Sequence, residues 1–201
     1  MNPTVASIVE SSQREYEKRS VLEMELAASL EVDHITTAFR HFTEYVTFET
    51  SQQKKSTSSV NRVVCLFERF ALRFKDLADF WHAYYRYVSE SITLPKSLLT
   101  VSSRSLRHVS NCGPLYEDRL LALESAGRGV SSFGEIISTA LSQCLGSYYE
   151  YLHFLLMALA AYRHAFEKRE SDAEAALMSF CGNCVDWMVG VMMVVYAERT
   201  E

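Results

Sequence analysis

Cys181 and Cys184 form a C-x-x-C pair, CGNC, the spacing of dithiol redox centres and of half a zinc site. Neither chemistry finds its remaining parts. No second cysteine pair follows, and no strand pattern precedes the first, so two thiols packed on a helix are expected. The histidines (His34, His41, His82, His108, His153, His164) are scattered, without H-E-x-x-H or another metal-ligand spacing. GRG at 127–129 lacks the Lys-Ser/Thr that completes a phosphate loop. Trp81, Tyr84 and Tyr87 stand three apart and could form an aromatic platform, but that spacing suits a buried helix stripe better. Glu68 and Arg69 are read as polar contacts that fix helix geometry. The expectation is therefore no catalytic residue, no cofactor and no metal. A buried Asp, Glu or His pair with shifted titration, lining a closed pocket, would reverse it.

The 201-residue chain carries a net charge of −5, unevenly spread. Residues 51–110 hold ten Lys or Arg against four acids, a balance of +6 that leaves −11 for the remainder. Lys54, Lys55, Arg62, Arg69, Arg73, Arg104 and Arg107 are the candidate charged interaction surface within this stretch, and solvated helix faces are the plainer reading. Five cysteines, an odd count, fit unpaired thiols in a reducing compartment. The polar start, Met1 to Tyr16, lacks the apolar run of a secretory signal. The longest apolar run, Trp187 to Ala197, is too short to span a bilayer, so no membrane association is expected.

The elements that must position these residues are helices. Eleven Phe and eleven Tyr accompany only three Pro and seven Gly, too few for the turns of a sheet protein. Apolar stripes at helical period run through 14–30, with Leu22, Met24, Leu26 and Leu30, and through Ile35 to Phe48, with Asp33 as its cap. Further stripes follow in 60–74, 77–88, 98–106 (with Pro95 in the first turn), 115–124 and 133–145 (capped by Ser131 or Ser132). The last two span 148–166 and 173–197. Gly127 and Gly129 stop one helix, and a break near Gly182 is expected in the last. Eight or nine helices in hairpins result.

A repeat runs through them. Phe42, Tyr45 and Phe48 reappear as Trp81, Tyr84 and Tyr87, then more loosely from Tyr116 and from Leu152, at spacings of 39, 35 and 36 residues. With Phe67, these are the expected repeat-packing residues: Phe42, Tyr45, Phe48, Phe67, Trp81, Tyr84, Tyr116 and Leu152. Hairpins stacked at such a period bury a continuous core.

DFWHAYYRYVSE at 79–90 and HFTEYVTFE at 41–49 resemble the first-helix signature of the half-a-TPR (HAT) repeat family of RNA-processing proteins. RVVCLFERFAL at 62–72 and TALSQCL at 139–145 resemble its second helix. The segments 105–127 and 132–156 are most similar to the N-terminal repeats of U4/U6 small nuclear RNP recycling factors. The resemblance implies an all-α, right-handed solenoid of about four antiparallel hairpins over 1–201 (TPR-like). It implies a non-enzymatic scaffold in the nucleus, acting in pre-mRNA splicing and U4/U6 reassembly. Splicing or RNP proteins are the implied partners, with indirect or weak contact to U6 RNA. The RNA-recognition domains that follow the repeats in that family have no counterpart here, so a fragment of a longer chain or a divergent short form is expected. Direct RNA binding through 54–107 is the alternative. Trp187, Met188, Val191, Met192 and Val195 cover more than one stripe, and are the candidate interface for a second chain or for a continued array.

Overall fold

The computed structural model describes residues 3–32, 34–52, 58–92, 94–143, 147–168, 170 and 172–198. The described residues are almost entirely helical and divide into two compact units, Met1–Phe74 and Lys75–Glu201. The division falls between the expected stripes 60–74 and 77–88. The chain is all-α, and no described helix is long and apolar enough to cross a membrane.

The first unit holds α1 (Pro3–Glu31), α2 (Ile35–Ser51) and α3 (Ser58–Phe70). Ala38, Phe42, Tyr45 and Phe48 repeat at steps of four and three, which places them on one buried face of α2. Phe42 is the centre of an aromatic cluster. Its ring lies 5.3 Å from Phe67, 5.6 Å from Phe70 and 5.4 Å from Phe74, the first two edge to face. Such pairs add about 1 kcal/mol each beyond burial alone.

Helix α1 begins well before the expected residue 14. Its first turns have no core face, and Val5, Ile8 and Val9 are exposed. Pairs one turn apart support it instead, Arg14 to Glu10 at 2.6 Å and Gln13 to Glu17 at 2.9 Å. Leu26 is its fully buried anchor, while Met24 is exposed. Asp33 lies outside the described residues, and α2 is entered through His34, whose side chain makes no capping bond.

The second unit comprises α4 (Ala78–Ser91), α5 (Pro95–His108), α6 (Gly113–Ser125), α7 (Val130–Ser142), α8 (Tyr148–Glu167) and α9 (Ala173–Glu198). Consecutive helices from α4 to α9 pack on one another. In addition α4 adjoins α6, and α6 adjoins α8, each reaching past the helix between them. Phe133, Phe154, Ala158, Tyr162 and Phe180 join Tyr116, Leu120 and Leu123 in the core of α6 to α9.

Pro95 opens α5 as expected, its missing N–H being no loss there. Helix α6 ends in a left-handed residue, Gly127 at φ +62°. Around it Gly127 N–H donates to Glu124 O and Arg128 N–H to Leu123 O, the paired bonds of a Schellman stop. Two local expectations need correction. Helix α7 is entered through Gly129 in extended conformation, so Ser131 and Ser132 lie inside it rather than capping it. Helix α9 runs through Gly182 without a break. A side chain at Gly182 would meet nothing, and a single glycine costs only about 1 kcal/mol in a helix held elsewhere by packing.

Candidate functional site

Position four of α4, of α6 and of α8 carries a large ring whose polar end is spent in the same way. Trp81 in α4 donates from Nε1 to the Lys75 carbonyl at 2.8 Å. Tyr116 in α6 donates from its hydroxyl to the Ser110 carbonyl at 2.9 Å. Tyr151 in α8 donates to the Gln143 carbonyl at 2.6 Å. Trp81 and Tyr116 are fully buried and Tyr151 is half-buried. A buried N–H or O–H needs a partner, and the loop entering the helix supplies the nearest free carbonyl. Leu152, one position after the Tyr151 ring, is half-buried. The anchors 81, 116 and 151 are spaced by 35 and 35 residues.

In that register further positions match. Tyr85, Leu120 and Leu155, four after each anchor, are buried, as are Val88, Leu123 and Ala158, seven after. A polar contact also recurs between α4 and α6 and between α6 and α8. His82 Nδ1 lies 2.9 Å from Asp118 Oδ2, and His153 Nδ1 lies 2.6 Å from Glu117 Oε1. In both, the residue one past an anchor meets the residue two past the next anchor, with acid and imidazole exchanged.

Asp118 is the most perturbed of these groups. Burial pushes its carboxyl from an ordinary 3.8 up to about 7, while His82 and Arg86 pull it down. Burial, and then Asp118 itself, raise the neighbouring Tyr85 hydroxyl. This is a buried acid beside a histidine, the pairing that would favour catalysis. It sits in the α4–α6 packing seam, however, and neither residue lines any of the grooves described below.

Two glutamates organise the polar side of the first unit. Glu49, fully buried in α2, accepts from Arg19 of α1 and, at 3.0 Å, from Arg62 of α3. The Arg19 guanidinium is raised by that bond to Glu49, with burial opposing. Glu23 of α1 accepts from Arg69 at 2.9 Å and from the Tyr45 hydroxyl at 3.2 Å. Burial, then Glu23, push Tyr45 up to about 12. Arg73 donates to the Leu30 carbonyl at 2.9 Å. Three arginines of the expected charged surface are therefore engaged within their own unit. Lys54 and Lys55 lie outside the described residues.

In the second unit Arg104 lies over the Trp81 ring at 5.4 Å, and His108 stacks on the same indole at 5.5 Å and 8°. Arg107 is exposed on an open groove of about 540 Å³, between α5 and α7 over α6. A second groove, about 810 Å³, runs between α7 and α9 beside Tyr162, Phe180 and Trp187. Of the candidate interface in α9, Trp187 is half-buried against Phe180 at 5.8 Å. Met188, Val191, Met192 and Val195 lie outside the described side chains.

Of the expected repeat-packing residues, Phe42, Tyr45, Phe48, Phe67, Trp81, Tyr84 and Tyr116 are all buried. Cys181 is exposed and Cys184 half-buried on α9, beside the core. Burial, then Cys181, raise the Cys184 thiol, the reverse of an activated redox cysteine. Glu25, His41 and Glu44 bring their ligand atoms within 4.8 Å of one another on the first unit. Both carboxylates are exposed, and Glu44 already faces Arg40 at 3.6 Å, so the trio reads as a surface charge cluster. From sequence Glu49 stands only as a repeat position beside Phe48, and the buried, ion-pairing roles of Glu49, Glu23 and Asp118 are not legible. Only Glu49 left a signal, as an acid on an apolar stripe at helical spacing. No family model and no curated protein matches the chain.

Proposed function

We propose that this chain is a non-enzymatic helical-repeat scaffold, a right-handed array of antiparallel HAT-type hairpins, that holds protein partners during RNA processing. The observation that carries the reading is the ring-to-loop tether recurring at 35-residue spacing in α4, α6 and α8. An enzyme organises its side chains toward one pocket. Here the recurring side chains are spent on fastening a helix to the loop that enters it and, through His82–Asp118 and His153–Glu117, on joining α4 to α6 and α6 to α8, the neighbour-to-neighbour contacts that stabilise a linear array. The aromatic signature in 79–90 resembles HAT repeats, and 105–156 resembles the U4/U6 recycling factors. On that likeness the chain acts in the nucleus on splicing-particle proteins.

Direct RNA binding through 54–107 is the second reading. Arg62, Arg69 and Arg73 are committed to Glu49, Glu23 and Leu30, which weakens it. The discriminating experiment is recovery of partners from nuclear extract with and without ribonuclease, together with binding of purified U6 RNA at two salt concentrations. Recovery of the same splicing-particle proteins after ribonuclease, with weak RNA affinity, is expected. Tight, sequence-specific U6 binding by the purified chain, or loss of every partner on ribonuclease treatment, would overturn the reading.

A further inference from the structure

The groove between α5 and α7 has a charge pattern that the packing does not use. Arg119 rises from its floor on α6, half-buried, and donates only to neutral acceptors, the Leu99 carbonyl at 2.9 Å and the Ser102 hydroxyl at 3.3 Å. Lys96 and Arg107 of α5 and Arg128 beyond α6 are exposed around it. Among the described residues, none of these four makes an ion pair. Two arginines of the first unit that cross between helices find carboxylates instead, Arg62 at Glu49 and Arg69 at Glu23. The acid lining this groove, Glu135, is exposed on α7 and leaves a local excess of three positive charges. Burial lowers the Arg119 guanidinium, and the nearby Arg128 lowers it further. Cations held together without an acid repel one another, and an incoming anion relieves that repulsion.

The lining also selects the kind of anion. Between the cations the lining mixes the apolar Leu99, Leu123 and Ile136 on the floor with the hydroxyls of Thr100, Ser103 and Ser132. No aromatic ring lines the groove, and rings are the platforms on which single-stranded nucleic acid chiefly stacks its bases. A volume of about 540 Å³ suits a few side chains of an extended segment.

We propose that the α5–α7 groove binds an acidic peptide segment of a partner protein, with carboxylates on Lys96, Arg107, Arg119 and Arg128 and an apolar side chain on the Leu99–Leu123–Ile136 floor. The proposal rests on the scaffold reading and names the chemistry of one partner. Arg119 supplies a directional, partly desolvated contact, and the three exposed cations supply attraction that salt screens.

The test uses the full chain on an array of short peptides alternating Asp or Glu with apolar residues. Basic counterparts and a single-stranded oligouridine, about twelve nucleotides long, are probed in parallel. The charge-reversed variant combines Arg107→Glu and Arg128→Glu, both at exposed positions. Arg86→Glu, a cation outside the groove, is the control, and circular dichroism checks that all three proteins are folded. Acidic members are expected to bind the wild type and the control alike, and to lose at least tenfold affinity with the double variant. Raising salt from about 50 to 300 mM should weaken them in the same direction. The proposal is overturned if no acidic member binds the wild type better than the double variant. It is equally overturned if the control loses as much, or if oligouridine binds more tightly with the same sensitivity. Failure on the array with partners still recovered after ribonuclease would remove the groove and leave the scaffold standing.

Discussion

Asp118 makes folding depend on pH in an unusual direction. Its carboxyl lies near 7 in the fold against an ordinary 3.8, so the folded chain holds a proton that the unfolded chain releases. Below the unfolded value both states are protonated and nothing is lost. As pH rises through the interval the unfolded chain ionises first, and stability falls until the folded carboxyl ionises too. The full interval is worth roughly 4 kcal/mol, of which roughly 2.5 falls between pH 5 and pH 8. His82 and Arg86 oppose the shift while Glu117 reinforces it, and all three remain when only Asp118 is changed. The perturbation is Asp118→Asn, which keeps the shape and removes the titration. The assay is denaturant unfolding at pH 5, 6, 7 and 8, read as extrapolated free energy. Relative to the variant, the wild type should lose about 2 to 3 kcal/mol between pH 5 and pH 8, so that Asp118→Asn gains relative stability at high pH. Parallel curves for the two proteins would refute the reasoning, because they would mean that the seam solvates the carboxylate as well as water does.

Glu49→Ala should destabilise the first unit by about 1.5 to 3 kcal/mol in thermal or chemical unfolding, since it removes the buried acceptor that Arg19 and Arg62 share while leaving both guanidinium groups within reach of water. Tyr116→Phe should cost about 1 kcal/mol by the same measurement, the loss of a single bond to the Ser110 carbonyl. Gly127→Ala should cost about 1 kcal/mol through the left-handed backbone it must adopt, although a side chain there would meet no neighbour. Mass spectrometry after brief alkylation near pH 7 should find Cys181 modified well before Cys184, whose thiol is half-buried and raised.

Helix period carried most of the architecture, because burial is what the period records. Phe42, Phe67, Trp81 and Tyr116 were legible as core from spacing alone. Where burial did not decide, the reading slipped. The first turns of α1 have no core face and are supported by pairs such as Glu10 with Arg14, which sequence does not rank above a solvated loop. Gly182 is a breaker by propensity, but α9 is held by packing at Phe180 and at Trp187. Apolar spacing points to Leu152 in α8, whereas the tether at 35-residue spacing falls on the hydroxyl of Tyr151, because hydropathy does not see hydrogen bonds. The groove was half legible: Arg107 stood in the basic stretch, whereas Arg119 and Arg128 lie in an acidic part of the chain and meet it only in the fold.

The tethers of Trp81, Tyr116 and Tyr151 also bear on how such a chain can drift. Indole and phenol serve equally, so the identity of the ring is free to change. The distance back to the accepting carbonyl is less free, six residues for Trp81 and Tyr116 and eight for Tyr151. Insertions just ahead of these helices must therefore be short or be absorbed by a new acceptor, while substitutions at their exposed positions pass easily. A lineage under that rule keeps its metre while its words change. Copies related by descent would then be recognised by where a ring-borne donor recurs, long after residue-by-residue likeness has faded.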